Sequence, residues 1–399
     1  MNNSFDDKIS GVVKSIPPSA IRRFFDLANE MKGEVISLSI GEPDFVTPWR
    51  VREAGIYSLE QGYTHYSPNQ GYIEVRKAIA QYMIRRMGLL YDPASEILVT
   101  VGGSEALDLA ARAMINPGDE VIIVEPCFVS YKATVLLAHG VPVIVETKQE
   151  DDFKLRPEAL EKAISNKTKY VMIGYPCNPT GATMTEDDLK AIVDVLDRYP
   201  DIIVVSDELY SELSYGEAPF VSIAGFPSMR ERTVVVNGFS KSFAMTGWRI
   251  GFAAGPDTII QAMNKVHQYC IMSSPTTAQY AVIEAALYGD KEVRDMRDEY
   301  NRRRRVIYNG LLKAGLKCFE PSGAFYAFPS IRELNMTSEE FCESLLTEKK
   351  VAIVPGNAFG ACGEGYVRIS YASSIENIKE ALSRLADFVF EIKKRESDK

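Results

Sequence analysis

An α/β fold with a mostly parallel seven-stranded central sheet and helices on both faces is predicted by three features of the 399-residue sequence. Seven short β-branched runs recur between residues 96 and 254, and helix-period segments lie between most of them. The runs are apolar throughout, without the alternation of a half-exposed strand, which suits strands buried on both faces. In chain order they are EILVTV (96–101), VIIVE (121–125), VPVIVE (141–146), KYVMIG (169–174), IIVVS (202–206), TVVVN (233–237) and RIGFAA (249–254). The clearest intervening helix is TEDDLKAIVDVLDRY, with Thr185 as N-cap and Asp188 three residues later. Such strand–helix alternation builds a layered body on a largely parallel sheet.

The two ends of the chain carry a different pattern. FFDLANEMKG (24–33) reads as a short amphipathic helix leading into VISLSIGEPDF (35–45), and long helical stretches with a few short strands follow residue 290. One helix starts at Thr337 with Glu340 as its reciprocal cap. The last sets Ile375, Ile378, Leu382, Leu385 and Val389 on one face. A large central domain over 46–289 and a smaller α/β domain made of 1–45 and 290–399 account for these patterns and for the length.

Lys and Arg number 45 against 54 Asp and Glu, a net charge of −9 that favours neither nucleic acid nor an anionic membrane as partner. The basic run Arg302–Arg305 falls in a strongly charged helical stretch and reads as a solvated face. No segment approaches the roughly 18 apolar residues of a membrane helix. The polar start MNNSFDDKIS is unlike a signal peptide. Six cysteines (127, 177, 270, 318, 342, 362) form no C-x-x-C pair and no cluster with histidine, which points to a reducing, cytoplasmic setting and away from zinc or disulfides. The three histidines (65, 139, 267) stand singly and read as structural. Neither a metal site nor a Ser–His–Asp triad is expected.

In open α/β sheets, ligands bind outside the carboxyl ends of the strands. The residues following the runs are Gly102 to Glu105, then Pro126 to Phe128, YPCNPTG with Asn178, Asp207 to Tyr210, and a stretch containing Lys241. Singly, each has a plain structural reading. Gly-Gly-Ser opens a helix, a strand-terminal aspartate caps or pairs, Asn-Pro-Thr-Gly is a turn, Phe128 is core and Arg249 closes a surface ion pair. Together they suit one ligand with a phosphate, a flat ring, a ring nitrogen and an aldehyde. Backbone N–H groups of Gly103, Ser104 and Glu105 at a helix start make an anion site. Arg249 adds a planar charged fork for phosphate oxygens. Phe128 offers a face to the ring, Asp207 a partner for its protonated nitrogen, Asn178 and Tyr210 hydrogen bonds to its hydroxyl, and Lys241 an amine for the aldehyde. Pyridoxal phosphate has these parts. Bringing a lysine from about 10.4 to about 7 takes roughly 4–5 kcal/mol. Burial beside another cation such as Arg249 can supply that, and an exposed loop cannot.

GFSKSFAMTGWRIG around Lys241, NPTG, SDELY and the later VRISYA occur in an order that resembles the class I aminotransferases of aspartate/aromatic type, pyridoxal-phosphate enzymes of fold type I. The resemblance spans about residues 12 to 392. It implies that Lys241 is the Schiff-base and proton-transfer lysine and Asp207 the pyridinium partner. It further implies that Asn178 and Tyr210 contact the ring oxygen, that Phe128 stacks, and that Gly103, Ser104, Glu105, Ser240 and Arg249 surround the phosphate. Arg368 would clamp the substrate α-carboxylate with help from Gly41 and Asn178. Tyr66 would reach the phosphate of a neighbouring subunit, so a homodimer with shared sites is implied. The implied reaction moves an amino group from an L-amino acid to a 2-oxo acid such as 2-oxoglutarate by a two-step ping-pong route. A carbon–sulfur β-lyase on the same fold is the alternative. Two residues depart from the pattern. Gly238 stands where many relatives carry a phosphate-contacting serine. Ser104 stands where prokaryotic aspartate enzymes carry a lysine for the distal carboxylate, which Arg22 or Arg23 could replace. The donor therefore stays open between aspartate, an aromatic amino acid and an acylated diaminopimelate.

Overall fold

The computed structural model describes residues 5–18, 21, 23, 24, 26, 27, 35–216 and 219–397. Arg22 and most of the helix expected at 24–33 lie outside these. All seven β-branched runs become strands of one sheet. They are β2 (Ile97–Thr100), β3 (Glu120–Glu125), β4 (Val141–Glu146), β5 (Thr168–Gly174), β6 (Ile203–Asp207), β7 (Thr233–Gly238) and β8 (Gly251–Ala254); a short β1 (Ile36–Ser37) precedes them. Their order across the sheet is β2-β8-β7-β6-β5-β3-β4. Continuous apolar runs make sense here, because alternate residues serve opposite faces. Val121, Ile123, Tyr170, Met172, Val205 and Val234 pack into one buried cluster, while Ile122, Val124, Val171, Ile173 and Val204 pack into another. The helix Glu186–Leu196 covering one face begins with the expected capping box of Thr185 and Asp188.

Only β8 runs against its neighbours, β2 and β7. Its direction matters for function. The parallel strands end at one rim, and a reversed strand starts there, so the segment from Gly238 to Gly251 stays at that rim without a crossover helix. The strand begins at Gly251, two residues later than the sequence suggested. Arg249 instead adopts a left-handed conformation with φ of 53°. This turns its side chain toward the loop after β2, where a Cβ on Gly102 would lie 2.8 Å from Arg249 Nη2.

Residues from the two ends of the chain build a separate layer. β9 (Tyr326–Ala327), β11 (Val354–Pro355) and β12 (Val367–Ser370) form an antiparallel sheet, and β1 pairs in parallel with β10 (Val351–Ala352). Leu38, Tyr300, Phe325, Ile369, Ile378 and Leu385 share one core there. The expected cap of Thr337 and Glu340 is formed, and Ile378, Leu382, Leu385 and Val389 of the last helix are buried. The basic run is not wholly solvated. Arg303 is buried against Asp44 at 2.7 Å and Glu299 at 3.0 Å, and Arg304 pairs with Glu320 at 2.7 Å. Helical spacing sends consecutive residues in different directions, so two of the four arginines face inward. Among the described residues, no helix is long and apolar enough to cross a membrane.

Gly181 joins the two layers. Its carbonyl accepts from the N–H groups of Ser322 and Gly323 at 2.9 and 2.8 Å, and a Cβ there would meet Pro321 Cβ at 2.6 Å and the Tyr326 carbonyl oxygen at 2.8 Å. Gly62 has a similar φ, 72° against 73°, but nothing within 4 Å. Gly62→Ala is expected to cost left-handed strain alone, about 1–2 kcal/mol. Gly181→Ala adds overpacking of about 1–3 kcal/mol. Urea unfolding of both variants checks this, and equal losses would refute the contact argument.

Candidate active site

The loops at the rim enclose a cavity of about 240 Å³. Of the residues expected there, Gly41, Gly103, Ser104, Phe128, Asn178, Asp207, Tyr210, Ser240, Lys241, Arg249 and Arg368 all line it. Strand direction explains the convergence, since each residue from the central sheet sits at the rim end of its own strand. Glu105, expected to contribute its backbone N–H, is not among the lining residues, and Tyr66 was expected at a neighbouring subunit's site. Glu105 lies in the first turn of the helix Gly103–Met114, but its carboxylate points away, accepting from the Val101 N–H at 2.5 Å and meeting His267 Nδ1 at 2.7 Å. Tyr66 is 81% exposed on the outer surface.

Lys241 reaches across the cavity and donates from Nζ to the Gly41 carbonyl at 2.6 Å. Burial lowers its amine from 10.5 to about 8; Glu42 opposes this, while Arg368 and then Arg249 reinforce it. Burial therefore outweighs the neighbouring cations, and Arg368 acts more strongly on the amine than the expected Arg249. Asp207, the last residue of β6, accepts from the Tyr131 hydroxyl at 2.7 Å and the Leu209 N–H at 3.2 Å. Burial raises its carboxyl, against those two hydrogen bonds and the Lys241 charge.

Arg368 is 1% exposed. It donates to Asn178 Oδ1 at 2.9 Å and to the Ser39 carbonyl at 2.5 Å, and its Nε has no partner. Neither Arg368 nor Asp207 forms an ion pair among the described residues. A buried guanidinium and a half-buried carboxylate, neither in an ion pair among the described residues, thus share one small chamber with a lysine of lowered basicity. An isolated buried charge costs several kcal/mol. This donor set fits a ligand bringing its own charges: a cationic ring nitrogen for Asp207, a carboxylate for Arg368, and a phosphate for Arg249 beside the start of Gly103–Met114.

Three tyrosine-related features escaped the sequence reading. Tyr131 holds Asp207, and a Cβ on Gly174 would lie 2.2 Å from its hydroxyl, so glycine there makes room for it. Tyr326 shares a 2.7 Å hydrogen bond with Tyr210, and its ring lies 4.6 Å from the Arg368 guanidinium carbon. The Tyr326 hydroxyl also occupies the space a side chain at Gly41 would need. Tyr131 stands three residues after Phe128, on the same face of the turn, and that spacing was a usable signal. Nothing local marked Tyr326, which arrives from the other layer.

A family model described as aminotransferase class I and II matches residues 33–385. An aspartate aminotransferase of Pyrococcus abyssi is 46% identical, covering 93% of this chain and 95% of its own length. An aromatic-amino-acid aminotransferase of Thermococcus litoralis is 42% identical over 94% of this chain and 97% of its own. The solved structure of aspartate aminotransferase from Thermus thermophilus with maleate superposes with a TM-score of 0.91 at 40% identity, covering 95% of this chain and 99% of that one.

The lowered basicity of Lys241 has a direct readout. In cofactor-free protein, acetylation of Lys241 by acetic anhydride, followed by peptide mass spectrometry, is expected to reach half its limiting rate near pH 8, where the amine becomes neutral. Lys291, whose amine Asp295 raises, is expected to respond only at higher pH. Arg368→Met should move the Lys241 midpoint upward by more than Arg249→Met does; the opposite order would contradict the charge arrangement.

Proposed function

Because this chain belongs to the class I and II aminotransferases, which depend on pyridoxal phosphate, we propose that it moves the amino group of an L-amino acid to a 2-oxo acid in two half-reactions. The observation that carries this reading is that Arg368, buried, and Asp207, half-buried, line one cavity with Lys241 and form no ion pair among the described residues. Lys241 would hold the cofactor covalently through Nζ. Asp207, oriented by Tyr131, would balance the ring nitrogen. Phe128 would cover a ring face, Asn178 and Tyr210 would face the ring oxygen, and Arg249, Ser240 and the backbone of Gly103, Ser104 and Glu105 would hold the phosphate. When bound, the cofactor supplies an electron sink that acidifies the C–H bond α to the amino group.

The rest falls to the protein. Arg368 takes the α-carboxylate in a bidentate grip, with Asn178 fixing the guanidinium and Gly41 leaving space beside it. Lys241, neutral above about pH 8, accepts the α-proton and delivers it to the neighbouring reacting carbon. Burial strengthens each of these contacts by keeping water out. We take 46–289 as the body that holds the cofactor, and 1–45 with 290–399 as the one that brings Arg368.

For the acceptor we propose 2-oxoglutarate, and for the donor aspartate, an aromatic amino acid or an acylated diaminopimelate. The curated relatives span aspartate and aromatic names. We further propose a homodimer in the cytoplasm. Exposed Trp49, Ile56, Tyr57 and Leu59 on the helix Trp49–Glu60 support an interface near Tyr66, and six free cysteines suit a reducing compartment.

The test is steady-state and half-reaction kinetics on the holoenzyme. Parallel double-reciprocal lines with 2-oxoglutarate and a successful donor are expected, with no turnover from Lys241→Ala. Arg368→Lys is expected to raise KM for both substrates by roughly 10- to 100-fold, the scale of one charged hydrogen bond in a bidentate pair. Release of ammonia and pyruvate without a 2-oxo acid requirement would assign a β-lyase instead.

A further inference from the structure

Behind Arg368, the end of β3 meets the chain at Phe359–Ala361. Glu125, the last residue of β3, is 6% exposed. Its side chain lies against the backbone of Gly360, where a Cβ would sit 2.2 Å from Glu125 Oε2. Gly360 has φ of 131°, a region that side-chain-bearing residues rarely enter. The Ala361 backbone N–H faces the same carboxylate. Two residues beyond Glu125, the Cys127 N–H donates to the Phe359 carbonyl at 2.9 Å. The Phe359 ring in turn lies 4.8 Å from the Arg368 guanidinium carbon. The residue after Cys127 is Phe128, which lines the cavity.

We infer that Glu125 is a positioning residue for binding of the substrate carboxylate. It seats the Phe359–Gly360–Ala361 backbone so that Phe359 keeps the Arg368 guanidinium in place. A carboxylate suits this place because it fills the volume that a side chain at Gly360 would take and accepts the N–H that Gly360 delivers next to it. Its charge stands behind Phe359 and forms no ion pair with Arg368. The guanidinium is therefore flanked by the faces of Phe359 and Tyr326, which favour a cation without neutralising it, and its N–H edge stays available for an incoming carboxylate. An acid in direct contact with Arg368 would compete with substrate. The same β3 exit carries Phe128, so one segment sets both the aromatic cover of the cofactor site and the clamp for the substrate.

The inference rests on the reading of Arg368 as the carboxylate clamp, and the experiment separates the two. In the holoenzyme, KM for the amino donor, kcat, cofactor absorption and inhibition by 3-phenylpropionate, a non-reacting carboxylate, are measured for Glu125→Ala, Glu125→Gln, Gly360→Ala and Arg368→Lys. Glu125→Ala and Gly360→Ala are expected to raise KM and the inhibition constant by about tenfold, the scale of one hydrogen bond to a charged group, with kcat within about twofold. Glu125→Gln, whose amide oxygen still accepts from Ala361, is expected to stay near wild type. If Arg368→Lys raises KM while Glu125→Ala and Gly360→Ala leave it within twofold, the positioning role is overturned. If Arg368→Lys also leaves KM unchanged, the clamp reading fails and this inference with it. Should Glu125→Ala not fold, Gly360→Ala decides between the same outcomes.

Discussion

One reversed strand organises the site. Six strands of the central sheet run the same way, and their ends deliver Gly103, Phe128, Asn178, Asp207 and Gly238 to one rim. If β8 followed that direction, the chain leaving β7 would have to cross back beneath the sheet before re-entering it. Because β8 runs opposite to β7, residues 239–250 remain at the rim, and both Lys241 and Arg249 stay with them. Gly238 and Gly251 make the junction close, since a Cβ at Gly238 would lie 2.9 Å from Gly251 Cα. That close approach leaves little room for a side chain at 238, and Ser240 is one of the hydroxyls at the cavity.

The chamber is held in a state that water would ordinarily relieve. Buried Arg368 and half-buried Asp207 form no ion pair among the described residues, and Lys241 gives its hydrogen bond to a neutral carbonyl. Neutral dipoles keep these charges in place: Tyr131 and the Leu209 N–H on Asp207, Asn178 and Ser39 on Arg368. Such partners fix orientation without cancelling charge, so the electrostatic gain remains for a ligand that carries the complementary charges. The arrangement is tolerable because the surrounding cores are large and apolar, with strand residues packed on both faces of the sheet.

Much of this was legible in the sequence because the signals were local. Apolar strand periodicity, capping boxes at Thr185 and Thr337, and the residue following each strand can be read without knowing what lies across the sheet. The parallel direction then converts five sequence positions into one site. Contacts between distant segments were not legible. Tyr326 meets Tyr210 across 116 residues, and Arg303 meets Asp44 across 259. The inward turn of Arg303 also shows the weakness of reading a charge run as one unit, since helical geometry splits it around the axis. Glu105 shows a related effect, its carboxylate meeting Val101 and His267 away from the cavity. A residue in the first turn can offer its backbone to one side and its carboxylate to the other.

The charges also constrain how substrates are told apart. Three cations line the chamber: Lys241, Arg249 and Arg368. In the proposed reaction a phosphate and an α-carboxylate would engage the two arginines, and proton transfer would require Lys241 to be neutral. No fourth cation lines the chamber among the described residues. Arg23, a possible reader of a distal carboxylate, is instead held by Glu339 at 3.4 Å and Glu343 at 2.5 Å. Recruiting it would mean breaking both pairs, though each is exposed and worth only about 0–1 kcal/mol. Within one chain, then, the side-chain end of a substrate so held would meet neutral lining residues such as Ile21 and Ser104. On those walls an uncharged aromatic group loses little on entry, whereas a second carboxylate loses its hydration and must find a cation elsewhere, either by freeing Arg23 or across a subunit boundary. On the proposed reading, discrimination between aromatic and acidic substrates would therefore reduce to whether that distant cation is brought within reach of the chamber.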